Sequence, residues 1–298
     1  MVSLKTLPEE ELVTGGSAAC AGCQAILAFR LALKVLGKDT VLVNPAGCMT
    51  LSAVYPFTPY GVPWVHGAIE NASAVASGVK AGLRASGKQA HVVCQAGDGA
   101  TYDIGFQSLS GAAQRNEDII YICYNNSSYG NTGFQASSAT PLGSMTLTTP
   151  PGSAAPWGND ANRKNMPRIM AAHGIPYVAT ASVGYEMDFL KKVEAARDIR
   201  GFRYIEVLTA CPTGWGHDPE DAKTIGRELV DLGIWPLFEI REGKLKVTMR
   251  PRFGDITPWM RRQKRFRHLS GEQIARIAES VKREWETLEK DFYGTAQY

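Results

Sequence analysis

The chain has 298 residues, 44% hydrophobic and 20% charged, with 32 Lys+Arg against 29 Asp+Glu and a net charge of +3. This composition excludes disorder and collagen-like repeats, and so small a basic excess lacks the one-signed field of a nucleic-acid partner. The longest apolar stretches, such as Ala25 to Leu36 with its Arg30 and Lys34, fall short of the about 18–20 residues of a membrane span, so no membrane is expected either.

Taken in order, Met1 to Val13 carries four Glu or Lys charges before any apolar run and does not read as a signal peptide, which points to a cytoplasmic protein. Helical periodicity then runs from Cys23 to Leu36, strand-like residues cover Thr40 to Val43, and Ala68 to Ala85 is again helical. His91 to Gln95 is a β-branched run feeding into Gly97-Asp98-Gly99, Phe106 to Gln114 reads as helix, and Ile119 to Tyr124 as a buried strand. A polar loop of about 40 residues, from Asn125 to about Met166, is long enough to imply a functional lid or a partner surface. The alternation resumes with a helix near Ile169, a strand at Tyr177 to Ala181, a helix from Met187 to Ile199 and a strand at Tyr204 to Leu208. Such apolar strands joined by helices predict an α/β fold with a doubly wound parallel sheet, covered on both faces. Residues 1–221 form the expected main domain. Residues 222–298 read as a C-terminal extension, with a two-stranded piece over Phe238 to Thr248 and an amphipathic helix from Glu272 to Phe292.

Gly97-Asp98-Gly99 ends one predicted strand and Asn125-Asn126 ends the next, with 25 residues between them. Open α/β sheets bind ligands at such carboxyl ends. Mg²⁺ takes oxygen ligands and bridges side chains to phosphates, a role open to Asp98, Asn126 and a loop carbonyl, while flanking glycines let backbone N–H groups approach a diphosphate. The cysteines form a second constellation: Cys20 and Cys23 as CxxC, then the isolated Cys48 and Cys211. Four thiolates fit a zinc ion or a [4Fe–4S] cluster by chemistry alone. Cys94 and Cys123 lie in apolar strands and read as small core residues.

The Gly-Asp-Gly and Asn-Asn pair resembles that of thiamine diphosphate enzymes. On that resemblance Asp98, the Asn126 side chain and the Ser128 carbonyl hold Mg²⁺, and Gly97, Gly99 and Ala100 line the diphosphate. Together with CAGC, the Cys48 segment, Tyr129 to Pro141, Ala171 to Ser182, Cys211-Pro212-Thr213-Gly214-Trp215 and Arg265 to Leu269, the chain resembles the β subunit of 2-oxoacid:ferredoxin oxidoreductases, the family of pyruvate synthase, from about Cys20 to Leu269. The resemblance implies thiamine diphosphate, Mg²⁺ and one [4Fe–4S] cluster on Cys20, Cys23, Cys48 and Cys211. It places Asn131 as the catalytic side chain near the reacting carbon, with Thr132 of the same Asn-Thr-Gly motif at the cofactor.

The activity so implied is CoA-dependent oxidative decarboxylation of a pyruvate-like 2-oxoacid, or its reverse, with electrons passing to ferredoxin or a similar acceptor. The thiamine ring delocalises the carbanion left when CO2 departs, and a nearby cluster removes the electrons singly. The glutamate that activates the aminopyrimidine belongs to a pyrimidine-binding half-site absent from this chain. The resemblance therefore implies an α-type subunit, with further γ- and δ-type subunits. The chain departs from many members at Asn125-Asn126-Ser127, where Asp-Asn-Glu is common, and over Gly152 to Asp160. Another acid (branched-chain, phenylglyoxylate or oxalate) is the alternative substrate, and a zinc-stabilised scaffold without catalysis the alternative role.

Other features carry plainer expectations. Trp157, Trp259 and Phe266 are expected to expose apolar surface to partners, and Arg261, Arg262, Lys264, Arg265 and Arg267 to form a solvated or intersubunit basic face. His66 reads as an interior imidazole or a cofactor neighbour, Glu70-Asn71 as a cap or closure of the site, and Trp215 as packing beside the cysteines.

Overall fold

Apolar runs in the sequence become the strands of a single eight-stranded sheet in the computed structural model, which describes residues 2–3, 5–54 and 56–293. They are β1 (Thr40–Pro45), β2 (Trp64–Gly67), β3 (His91–Gly97), β4 (Ile120–Asn125), β5 (Tyr177–Ser182), β6 (Arg203–Leu208), β7 (Leu237–Arg241) and β8 (Lys244–Met249), ordered β2-β1-β3-β4-β6-β5-β7-β8. The first six run parallel. The last two are antiparallel and extend the same sheet beyond β5, so the C-terminal stretch contributes to the sheet as well as following it. Every residue of β4, β5 and β6 is buried, as strands covered on both faces require.

The helices are α1 (Gln24–Leu36), α2 (Cys48–Leu51), α3 (Ala72–Ala85), α4 (Phe106–Gln114), α5 (Met166–Ala172), α6 (Glu186–Asp198), α7 (Pro212–Trp215), α8 (Ala222–Asp231), α9 (Thr257–Arg261) and α10 (Gly271–Tyr293). On one face of the sheet, Ala28, Phe29 and Leu33 of α1 meet Phe189, Leu190 and Val193 of α6 over Ile122, Tyr124 and Ile205. On the other, α3, α4, α5 and the Val281, Trp285 and Leu288 side of α10 cover Cys94, Tyr121, Cys123 and Tyr204. Each fully buried Leu, Ile, Val or Phe among these contributes about 1.5–3 kcal/mol relative to its exposed state. None of the helices among the described residues is long and apolar enough to cross a membrane.

Three local differences from the sequence reading have physical causes. β2 is four residues between Pro63 and the turn at Ala68, too short to show a period, and α3 starts at Ala72 because Ala68–Asn71 forms a turn. Gly99–Ile104 is a π-helical turn leading into α4, a form frequent at functional sites. Residues 208–277 gather a third apolar cluster around Trp215, Ile225, Trp235, Trp259, Phe266 and Leu269. Trp259 and Phe266 are therefore buried within the chain and present no partner surface, while Trp157 is half-buried against the same cluster. Arg261, Arg262, Lys264 and Arg267 are exposed, but Arg265 is 2% exposed and leaves the expected basic face.

Candidate functional site

Four strands that neighbour one another, β1, β3, β4 and β6, deliver their following loops to one edge of the sheet. β1 leads to Gly47-Cys48, β3 to Asp98-Gly99, β4 to Asn126-Ser127-Ser128 and β6 to Thr209-Ala210-Cys211. This is the carboxyl edge, where open parallel sheets bind ligands.

Gly97, Gly99, Ala100, Asn126, Ser128, Asn131 and Thr132 line one cavity of about 270 Å³, together with Gly47 and Cys48. Asp98 lies beneath it, fully buried. Its two carboxylate oxygens accept from the Asn126 backbone N–H at 3.2 Å and the Ser137 hydroxyl at 2.5 Å. No cation pairs with it among the described residues. Burial pushes its pKa up to about 7, against the pull of Ser137 and Asn126. A divalent cation would return such a carboxylate to its charged form. One carboxylate, a side-chain amide and a backbone carbonyl are the sparse oxygen set with which Mg²⁺ meets a diphosphate.

The loop after β4 is held by its own polar groups. The Asn125 side chain donates to Glu206 at 2.6 Å and accepts from the Ser127 N–H at 2.8 Å. That turn puts Ser127 at φ 67, a left-handed conformation costly for a residue other than glycine. The Asn126 Oδ1 accepts from the Ser128 N–H and hydroxyl at 3.2 and 3.3 Å. Glu206 is buried beside Tyr102 and Tyr204, and burial raises its pKa. Asn131 and Thr132 are exposed, and the Thr132 hydroxyl donates to Gln135 at 2.5 Å.

Cys20, Cys23, Cys48 and Cys211 line a second cavity, of about 360 Å³. Cys20 and Cys23 come from the turn before α1, whose Gly22 has φ +72 and would place a Cβ 2.5 Å from the Pro219 carbonyl. Burial pushes the Cys48 thiol up to about 12, with further upward pressure from Cys211, Cys23, Asp98 and Cys20. The Cys211 thiol rises to about 11 through burial, eased by the Gly214 N–H 3.3 Å from its sulfur and raised further by Cys23 and Cys20. Four thiols lining one cavity are a donor set that a metal or iron–sulfur centre would bind as thiolates. The sulfurs surround a space instead of a point: among the described residues no three His, Cys, Asp or Glu groups converge on one ion position. Thr209, whose buried hydroxyl has no partner, lines the same cavity. Cys94 and Cys123 lie in the core of the opposite sheet face, away from both cavities.

The two cavities share Cys48, Asn126, Gly130 and Asn131. A Cβ on Gly130 would sit 3.3 Å from the Cys48 sulfur and 3.0 Å from the Asn126 amide nitrogen, so glycine keeps this dividing wall thin. Sequence reasoning missed Ser137 bonded to Asp98, Tyr129 lining the Gly-Asp-Gly cavity, and the Trp215 indole, which donates to the Asn126 carbonyl at 2.7 Å. Ser137 and Tyr129 stand within the Tyr129 to Pro141 segment, but only tertiary structure gives them a task. His66 is exposed, stacked on Trp64 and bonded to the Asn44 carbonyl at 3.1 Å, and belongs to neither cavity. Asn71 holds the N-cap position of α3 without a side-chain bond.

Comparisons with known proteins agree with this layout. Residues 45–207 match the family model "Thiamine pyrophosphate enzyme, C-terminal TPP binding domain". The chain is 52% identical to "Pyruvate synthase subunit PorB" of Methanothermobacter marburgensis over 92% of this chain and 96% of that one. It is 40% identical to "Ketoisovalerate oxidoreductase subunit VorB" of Pyrococcus furiosus over 96% and 94%. Among solved structures, the 2-oxoglutarate:ferredoxin oxidoreductase of Magnetococcus marinus shares the fold with TM-score 0.58 and 21% identity, over 74% of this chain and 82% of that one. The chain belongs to the 2-oxoacid:ferredoxin oxidoreductase family, as a β subunit of that class of enzyme with a thiamine pyrophosphate-binding domain.

Proposed function

We propose that this chain carries both the diphosphate half-site and the first electron acceptor of a CoA-dependent 2-oxoacid oxidoreductase, acting on a pyruvate-like acid in either direction. The observation that carries the reading is the wall shared by the two cavities: a cysteine-lined chamber and a Gly-Asp-Gly chamber meet at Cys48, Asn126, Gly130 and Asn131. Bound thiamine diphosphate supplies the electron sink for decarboxylation, and a [4Fe–4S] cluster supplies one-electron acceptance.

In this reading Asp98, the Asn126 side chain and the Ser128 carbonyl hold Mg²⁺. Gly97, Gly99, Ala100 and Thr132 bound the diphosphate, and Asn131, exposed at the mouth of both cavities, orients the reacting carbon. Cys20, Cys23, Cys48 and Cys211 hold the cluster. Trp215 and Ser137 keep Asn126 and Asp98 in place. Residues 1–221 hold the cofactors and 222–298 the surfaces toward further subunits. Exposed apolar Leu51, Val54, Phe57 and Leu147 near the cysteine and Asn131 loops support an α-type partner there, which would complete the pyrimidine half-site. Coenzyme A and ferredoxin would be met by the assembled enzyme. The relative named for ketoisovalerate makes a branched-chain acid the second substrate reading.

The test is anaerobic purification of the intact complex, analysis of its iron, zinc and thiamine, and a visible spectrum recorded with a panel of 2-oxoacids and coenzyme A. Iron with thiamine, and absorbance bleached by one acid, is the expected result. Zinc without iron or thiamine would overturn it in favour of a scaffold role.

A further inference from the structure

Arg265 stands apart from the basic residues around it. It is 2% exposed, whereas Lys264 and Arg267 on either side are exposed. Among the described residues no carboxylate pairs with its guanidinium. Its Nε donates to the Gln263 side chain at 3.0 Å, and its Nη1 is buried with no hydrogen-bond partner. The guanidinium carbon lies 3.7 Å over the Trp215 ring and 4.6 Å from that of Phe266. Burial works against the positive charge, and the Cys211 sulfur is the group that acts to sustain it. A buried cation without a carboxylate is costly unless some other negative group answers it.

Its surroundings show where that group lies. Trp215 ends α7, the turn begun by Cys211, and its backbone N–H donates to the Cys211 carbonyl at 2.8 Å. The same ring's indole N–H reaches the Asn126 carbonyl, in the wall between the two cavities. Arg265 thus rests on the back of the loop that supplies the fourth cysteine. A cluster ligated by four thiolates is anionic, and each electron it accepts adds one more negative charge. A fixed cation in low dielectric favours the reduced form, whereas an exposed cation is screened.

We propose that Arg265 is a positioning residue that raises the reduction potential of the cluster on Cys20, Cys23, Cys48 and Cys211, and so eases its acceptance of electrons from the adjacent thiamine site. This rests on the cluster reading given above. Stacking on Trp215 fixes the charge in place, a task for which the planar guanidinium suits better than an ammonium.

The experiment is an EPR-monitored redox titration of the anaerobically purified complex, with iron measured per chain, for the natural protein and for Arg265→Met, Arg265→Lys and the exposed control Lys282→Met. Arg265→Met is expected to retain its iron and titrate at lower potential, with Arg265→Lys closer to the natural protein and Lys282→Met unshifted. Iron retained at an unchanged potential in Arg265→Met overturns the proposal while leaving the cluster reading intact. Absence of iron from the natural protein sinks the cluster reading itself, and the proposal with it. If Arg265→Met fails to assemble, Arg265→Lys decides. Natural iron content and a potential near that of the natural protein would support a role for charge, whereas loss of iron there too would assign the residue to packing and overturn the proposal.

Discussion

The two ends of the parallel sheet treat charge in opposite ways. At the amino end, Asp118 precedes β4 and meets Arg203 at 2.5 Å, Lys80 at 2.9 Å and Arg200 at 3.3 Å. Burial would raise its pKa, but the hydrogen bond from Lys80 and the charge of Arg203 hold it at about 2. At the carboxyl end, Asp98 is more deeply buried, has no cationic partner among the described residues, and sits at about 7. Four crowded thiols and the unpaired Arg265 lie at the same end. The chain neutralises its own charges where they serve the fold. At the proposed ligand site it leaves them open, an imbalance that supports the reading more than any single motif does.

The largest effect that sharpens this contrast is expected from Asp98→Ala. It removes the single carboxylate of the proposed Mg²⁺ set, so Mg²⁺-dependent binding of thiamine diphosphate, read by calorimetry on the complex, should be lost while iron content stays unchanged. Undiminished binding would break the assignment of the carboxyl end. Next comes Cys211→Ser, which should deplete iron. Cys94→Ser, in the core beside Ala72, should keep its iron and cost stability alone, roughly 1–3 kcal/mol for a buried hydroxyl that gains no good partner. Equal loss of iron from both would erase the division between site cysteines and core cysteines. At the other end, Asp118→Asn should cost roughly 3 kcal/mol in urea unfolding, because it leaves Arg203 buried without its counter-charge. Cofactor binding should not change.

The sequence made the parallel core legible because its strands are continuous apolar runs: Ile119 to Tyr124 and Tyr204 to Leu208 are recovered within a residue or two of β4 and β6. The CxxC turn before α1 and the two isolated cysteines, at the starts of α2 and α7, line one cavity. What stayed hidden is tertiary. Arg265 looks like its basic neighbours in sequence, and its burial against Trp215 and Phe266 is decided by a third core cluster that no local period reveals. β2 is too short to announce itself. Ser137 reaches Asp98 across 39 residues, a pairing that no spacing rule encodes.

The effect that is smallest per step of its measurement also tests the contrast most directly, because the two aspartates should drive stability in opposite directions with pH. The folded-state pKa of Asp98 is raised, so between about pH 4 and pH 7 the folded cofactor-free protein holds a proton that the unfolded chain has released. Its stability should therefore fall as pH rises through that window, by at most about 1.4 kcal/mol per unit. For Asp118 the folded-state pKa is depressed. Its contribution is complete above about pH 4 and is lost as pH falls toward about 2. Urea unfolding of the cofactor-free protein at a series of pH values should show both limbs. Asp98→Asn should flatten the upper one and leave the lower in place. If Mg²⁺ with thiamine diphosphate binds the charged carboxylate, as proposed, adding them should reverse the upper slope. An upper limb identical in Asp98→Asn and the natural protein would mean that Asp98 is no more strained by its burial than Asp118, and the distinction between the two ends would fail.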